Sequence, residues 1–187
     1  MHPWRVVAII VLAIVAALAM ALGRARWHVR LVDARFVDHR EKIAGGGAAL
    51  NVTGYVVVRV ESHRDIFKLS RDESSYPEVQ ATLCDGGQPV GAWRDPLPLE
   101  RDEAGRHFTY AVLIPARYRD IDLAQSGDLC LRFLAVGASM APWAQSGTVR
   151  VPLPPEVREQ AAAYAARKGV VDVTLDPVCA PRLCQPE

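Results

Sequence analysis

An uninterrupted apolar segment near the N-terminus constrains this chain more than any other feature of its sequence. The segment runs from Val6 to Leu22, and no charged residue falls within it. A length of about 17 residues is at the lower limit for a helix that crosses a bilayer. Trp4 and Trp27 bracket the segment, as is typical of aromatic side chains at the two membrane interfaces. Residues 1–23 are therefore predicted to form an N-terminal transmembrane anchor.

A cleaved signal peptide is the main alternative to a retained anchor. The triplets that end at Ala19 and Ala21 have small residues at both ends, and such triplets precede signal-peptide cleavage sites. Cleavage would leave a secreted or periplasmic protein. A buried helix of a soluble fold is the third interpretation. No cysteine follows the segment directly, which argues against a lipoprotein.

Two conflicting signals bear on the membrane orientation. Arg24, Arg26 and Arg30 follow the segment, and the positive-inside rule alone would keep the domain in the cytoplasm. The same arginines, together with Arg35 and Arg40, are either a solvated stretch or contacts to anionic lipid headgroups. The cysteines favour the opposite orientation. The chain has four of them, and an even set is typical of small domains in oxidising compartments. We therefore expect a single-pass inner-membrane protein with its domain in the periplasm.

The composition limits the classes of partner. Arginine greatly outnumbers lysine, which is typical of high-GC bacterial genomes. After residue 23 the chain carries 21 basic and 21 acidic side chains, because Arg5 is the only charged residue before that point. A domain without net charge lacks the general electrostatic footprint that nucleic-acid binding requires. Nucleic acid is therefore excluded as a predicted partner.

Short alternating segments separated by turns predict an antiparallel β-sandwich over residues 48–153. The clearest of these segments are residues 50–60, 79–83, 108–114, 129–135 and 148–153. Residues 95–98 contain two prolines and cannot form a central strand, because proline donates no ladder hydrogen bond. Residues 24–47 are interpreted as a juxtamembrane segment, for which a strand is slightly favoured over a helix, and a glycine-rich connection.

The C-terminal residues 154–187 change character. Pro154, Pro155 and Glu156 are typical of the first turn of a helix, and alanines continue the helical pattern. Residues 170–175 are predicted to add a short strand. A proline-rich tail follows and carries two cysteines.

The four cysteines are candidates for structural disulfides. One hypothesis pairs Cys84 with Cys130 and Cys179 with Cys184, although four cysteines allow three pairings and the sequence does not choose among them. Alternation points the thiols of Cys84 and Cys130 away from the core. The order Cys84, Trp93, Cys130 is therefore immunoglobulin-like in outline only, since the immunoglobulin bridge points inward.

No motif for catalysis, cofactor binding or metal binding stands out. The tail cysteines are separated by four residues, so they do not form a CxxC redox motif. The histidines form no HxH or HExxH motif, and only His63, Asp65 and His107 resemble a ligand set. No serine has the flanking glycines of a nucleophile elbow. We assign no catalytic residue, cofactor or metal ligand from the sequence.

Four aromatic residues in or near predicted loops are candidates for contact with a protein partner: Trp93, Trp143, Tyr76 and Tyr118. With the anchor and the predicted sandwich, they favour a non-enzymatic, membrane-anchored binding or interaction module outside the cytoplasm, in the bacterial envelope. Two alternatives stay open. One is an envelope hydrolase whose site is assembled from distant residues, and the other is a carrier of a small ligand or a metal.

Overall fold

The structure is a computed structural model that describes residues 4, 10–15, 26–45, 48–69, 76–91, 96–102, 105–118, 121–123, 127–136, 142–168 and 176–177. In chain order its strands are β1 (Arg26–Trp27), β2 (Val29–Val37), β3 (Glu41–Gly45), β4 (Ala48–Val52), β5 (Tyr55–Ser62), β6 (Tyr76–Leu83), β7 (Leu97–Arg101), β8 (Phe108–Pro115), β9 (Arg117–Tyr118), β10 (Ile121–Asp122), β11 (Leu129–Val136), β12 (Pro142–Ser146), β13 (Val149–Val151) and β14 (Asp176–Pro177). A 3-10 turn spans Phe67–Leu69, and the α-helix α1 spans Pro155–Lys168. The prediction of a mostly β fold with antiparallel sheets and one C-terminal helix is confirmed.

Sheet 1 contains four antiparallel strands in the order β2–β5–β8–β7. Its centre is the pairing of β5 with β8, which runs without a break from Tyr55 opposite Pro115 to Ser62 opposite Phe108. The proline-containing strand β7 pairs with β8 at the end of this order. Proline is tolerated at such an edge because its missing N–H interrupts no ladder, so the prediction that residues 95–98 avoid a central strand is confirmed for the described Leu97 and Pro98.

Sheet 2 is built around β11. One side of β11 pairs with β6, and the other side pairs first with β13 and then with β12. The chain between β12 and β13 leaves the ladder at Gly147, where the Ser146 hydroxyl accepts the Phe133 N–H at 3.0 Å and donates to the Gly147 carbonyl at 2.7 Å. The short strand β1 adds to β12 in parallel. The sequence placed Trp143 in or near a loop, whereas its backbone lies in β12.

The main core lies between the two sheets. Its buried side chains come alternately from β5 and β8 of sheet 1 and from β6, β11 and β13 of sheet 2. Val58, Val112 and Phe133 are among those with no exposed surface. Burial of alternate residues on both sheets is the largest favourable contribution to folding that such a domain has.

A second apolar cluster covers the outer face of sheet 1. The hairpin of β3 and β4 contributes Ile43 and Val52, which pack with Val57 and Leu113 of the central strands. Sheet 1 is therefore buried on both faces in this region, which explains why β5 is apolar at consecutive positions. The sequence predicted one strand over residues 50–60, and this prediction is wrong. Gly54 has a φ of 76° and separates β4 from β5.

Helix α1 packs against the main core through one face. Val157, Ala161 and Tyr164 are spaced by about one helical turn and are buried there, as expected of an amphipathic surface helix. The Tyr164 ring meets the Phe36 ring of β2 edge to face, with 5.6 Å between the centroids. The same ring fills the space beside the Gly54 backbone.

The N-terminal prediction receives no support from the structure. Residues 10–15 are helical and exposed, but the rest of the segment from Val6 to Leu22 lies outside the described residues. Within the described ranges, no helix is long and apolar enough to cross a membrane. The prediction that Trp27 lies at a membrane interface is wrong, because its side chain is 1% exposed and belongs to the main core.

The sequence assigned residues 26–37 to a juxtamembrane segment. In the structure they form β1, which belongs to sheet 2, and β2, which belongs to sheet 1. Two of the arginines considered for lipid contact form ion pairs within the protein: Arg30 with Glu61, and Arg35 with Glu41. The predicted strand at residues 170–175 lies outside the described residues.

Candidate functional site

The Cys84–Cys130 disulfide joins the turn that follows β6 to the neighbouring strand β11 of sheet 2. Cys130 lies in β11 opposite Thr82 of β6, and the Cys84 N–H donates to the Asp128 carbonyl at 2.9 Å. The neighbours Leu129 and Leu131 face the main core, and the two cysteines do not belong to it. The predicted pairing and the predicted outward direction of both thiols are confirmed. Cys179 and Cys184 lie outside the described residues.

The four aromatic candidates for partner contact do not form one described surface. Tyr76 is half-buried at the start of β6, opposite Val136 of β11. The backbones of Tyr118 and Trp143 lie in β9 and β12, but their side chains are outside the described part of the structure, as is all of Trp93. Partner contact through these residues stays a prediction.

A groove of about 350 Å³ lies beside the edge strand β7. Pro98, Leu99, Glu100 and Arg101 of β7 form one wall. Phe108 and Tyr110 of β8 and Asp65 from the turn after β5 complete the lining. Three chain segments that are far apart in sequence therefore meet here. Among the lining residues that the structure describes, none is serine, cysteine or histidine.

Asp65 is held in a defined orientation at the groove. Its Oδ1 accepts the Phe67 N–H at 3.1 Å, which begins the 3-10 turn, and the Tyr110 hydroxyl at 3.3 Å. The Tyr110 hydroxyl in turn accepts the Ile66 N–H at 3.0 Å. Burial raises the pKa of Tyr110 well above its usual range, and the Asp65 carboxylate adds to this. Tyr110 therefore stays protonated at neutral pH, where it orients Asp65 and cannot act as a base.

Replacing Tyr110 with phenylalanine is expected to lower the free energy of unfolding by about 2 kcal/mol, because the buried Ile66 N–H loses its acceptor. Urea unfolding of the full chain measures this loss. Tyr164→Phe is the matched control, since the Tyr164 hydroxyl has no hydrogen bond to another described residue, and it is expected to change stability by less than about 0.5 kcal/mol. Equal effects of the two substitutions would contradict the role of the Tyr110 hydroxyl.

Arg101 occupies the rim of the groove. Its guanidinium lies over the Phe108 ring, 5.4 Å from the centroid, and packs against Gly105. A guanidinium in this position is attracted by the electron-rich face of the ring. Arg101 forms no ion pair within the part of the chain that the structure describes, and neither does its neighbour Glu100.

Ion pairs cross the exposed part of the outer face of sheet 1. Glu61 of β5 binds Arg30 of β2 and the His107 ring, both at 2.6 Å. The Arg30 guanidinium, followed by His107, holds the pKa of Glu61 below its usual range. Arg59 and Asp33 form a second pair between β5 and β2. These exposed pairs are screened by solvent, and each stabilises the fold only weakly.

The histidine and acidic residues considered for metal binding are not brought together. The His63 Nδ1 lies 3.1 Å from the His28 carbonyl, whereas His107 pairs with Glu61. Across the described ranges, no group of three or more His, Cys, Asp or Glu side chains could hold a metal ion. The hypothesis of a metal site at His63, Asp65 and His107 therefore gains no support.

The sequence did not reveal the groove residues as a group. Asp65 and Tyr110 are 45 positions apart, and neither belongs to a motif. One signal was available, because the two prolines of residues 95–98 predicted that this segment is not a central strand. Phe108 and Tyr110 of β8 lie in an alternating segment and belong to the main core, and their second role at the groove depends on tertiary packing.

Comparison with known proteins does not add a functional assignment. No protein-family description matches the chain, and no curated protein matches it. The function must therefore be argued from the side chains themselves.

Proposed function

We propose that the protein is a non-enzymatic binding module of the bacterial cell envelope, with its domain outside the cytoplasm and its N-terminal apolar segment in the inner membrane. The observation that carries the binding role is the groove beside β7, which combines an edge strand, aromatic rings and a fixed carboxylate. Concave sites with a few placed polar groups among apolar ones are typical of ligand and partner recognition.

The strand order supports this proposal. If β1 is left aside and β12 and β13 are counted as one interrupted strand, the orders β2–β5–β8–β7 and β6–β11–β12/β13 match those of constant-type immunoglobulin sandwiches. Such sandwiches are rigid scaffolds that present loops and edge strands to partners. A fold alone does not determine function, so the proposal depends on the groove and uses the sandwich only as its support.

The Cys84–Cys130 disulfide supports the location outside the cytoplasm, because structural disulfides form and persist in oxidising compartments. The N-terminal apolar segment supports attachment to a membrane. These two features together favour the periplasm over the cytoplasm, even though the arginines after the segment favour the opposite orientation.

A topology experiment tests the location. A reporter that is active only outside the cytoplasm is fused after Glu187 and compared with a reporter that is active only inside. We expect activity from the first reporter, and a change in gel mobility on reduction of protein taken directly from cells. Activity from the cytoplasmic reporter with four reactive thiols would contradict the location.

In-cell crosslinking tests the binding role. A photo-crosslinking amino acid at position 100, on the exposed wall of the groove, is expected to capture a specific envelope protein. The same amino acid at Gln160, which is exposed on α1, serves as the matched control. Identical products from the two positions, or none from position 100, would contradict binding at the groove.

A further inference from the structure

Two carboxylates at the groove have capacity for a cationic ligand. The described hydrogen bonds of Asp65 both use Oδ1, so Oδ2 has no hydrogen-bond partner among the residues that the structure describes. Glu100 is exposed and forms no ion pair with any of them, although the Arg59 guanidinium lies close enough to interact with it electrostatically. A carboxylate oriented by Tyr110 and the Phe67 N–H is preorganised, because binding need not fix its rotamer.

A cationic side chain of the protein packs on an aromatic ring at the groove. This side chain is Arg101 at the rim, and its guanidinium lies 5.4 Å from the centre of the Phe108 ring. Attraction between a cation and a ring face strengthens when the pair is partly shielded from water. Among the lining residues that the structure describes, Asp65 and Glu100 outnumber Arg101, so these side chains together carry net negative charge, which favours a cation and disfavours an anion.

The size and position of the groove limit the ligand further. A volume of about 350 Å³ lies at the small end of ligand sites and suits one long side chain. The adjoining wall is the exposed end of β7, which pairs only with β8 among the described strands. An extended polypeptide can lie along such an edge and place alternate side chains in neighbouring pockets.

We propose that this groove binds the lysine or arginine side chain of an extended segment in a protein partner. The proposal deepens the binding function proposed above and rests on it. The ammonium or guanidinium of the ligand binds Asp65 and Glu100, its alkyl chain contacts the half-buried Pro98 and Leu99, and its backbone follows β7.

The test is a titration of the full chain in mild detergent at low salt. The probe is a blocked, fluorescently labelled pentapeptide of alternating threonine and valine with arginine at its centre. Matched peptides carry glutamine or glutamate at that position, and arginine amide supplies the same cation without a peptide. We expect the arginine peptide to bind most tightly, with an affinity that decreases as salt is added.

Charge substitutions in the groove are expected to act in opposite directions. Glu100→Gln should weaken binding of the arginine peptide by about threefold, and Arg101→Gln should strengthen it by about twofold. Both effects are small because solvent screens exposed charges. Asp65→Asn should weaken it by about tenfold, because this carboxylate is oriented and partly buried. Glu159→Gln removes the same charge from an exposed position on α1 and should leave the affinity unchanged.

The outcomes separate this proposal from the general binding function. Equal affinity for the three peptides, or no effect of Glu100→Gln and Asp65→Asn in folded protein, would overturn cation recognition. Arginine amide binding as tightly as the peptide would overturn the protein partner. If position 100 nevertheless crosslinks to an envelope protein, the binding function stands and only this ligand chemistry is wrong.

Discussion

Replacing Gly54 with alanine is expected to lower the free energy of unfolding by about 3 kcal/mol. Gly54 has a φ of 76°, a left-handed conformation that costs residues with a Cβ atom about 1–2 kcal/mol. A Cβ atom here would also lie 2.5 Å from Cε1 of Tyr164, and overfilling a packed site costs a further ~1–3 kcal/mol. Thermal unfolding should show a decrease in Tm of roughly 10 °C for a domain of this size.

Two variants isolate these causes. Gly147→Ala is the matched control, because a Cβ atom at Gly147 meets nothing within 4 Å, and it is expected to change stability by less than about 0.5 kcal/mol. In a Tyr164→Ala background, Gly54→Ala should lose its steric component and cost only about 1 kcal/mol. Equal effects of Gly54→Ala in both backgrounds would show that α1 does not pack against this turn.

Replacing Cys84 and Cys130 with serine is expected to destabilise the protein by about 3–4 kcal/mol, according to the chain-entropy relation for a loop of this length. The disulfide joins residues that are 46 positions apart, so the unfolded chain gains considerable freedom when it is removed. The serine side chains themselves are tolerated, because neither position belongs to the main core. Urea unfolding under non-reducing conditions measures the change.

The control separates the bond from the substitutions. In a background with Cys179 and Cys184 replaced by serine, adding reductant should lower the unfolding midpoint as far as the Cys84→Ser, Cys130→Ser change does. The non-reduced background protein should contain no free thiol. A midpoint that reductant does not change would contradict a structural disulfide between these two cysteines.

The alternating segments predicted β6, β8, β11 and β13. Residues 108–114 and 129–135 alternate cleanly because one face of each strand meets the core in a regular way, and both are strands in the structure. The direction of Cys84 and Cys130 followed from the same alternation. The helix after Pro154 was also predicted correctly, since the signals for a helix start are local.

The errors have a common physical cause, because they concern residues whose surroundings come from distant parts of the chain. Val52 and Val56 belong to one apolar run, but a turn at Gly54 sends them to different clusters. Trp27 resembles an interfacial tryptophan beside an apolar segment, yet the core between the sheets buries it. Hydrophobicity predicts that such residues are removed from water and does not predict what covers them.

The candidate site shows the same division. Asp65, Glu100 and Phe108 are ordinary residues in the sequence, and none belongs to a motif. They meet because β5, β7 and β8 pair in one sheet and because the turn after β5 returns beside the edge of β7. The aromatic candidates named from the sequence were selected for their predicted exposure, which a linear pattern cannot establish.

By itself the sequence determined the local properties of this protein: mostly β structure, the face of each regular strand, the C-terminal helix and the absence of net charge after residue 23. These properties follow from the periodicity of side chains along the backbone, which is a short-range effect. Only the tertiary structure decided that sheet 1 is buried on both faces, that Trp27 is core and that a charged aromatic groove borders β7. Each of these depends on contacts between segments distant in sequence, because the burial and the electrostatic surroundings of a side chain are set by the residues that the fold places beside it.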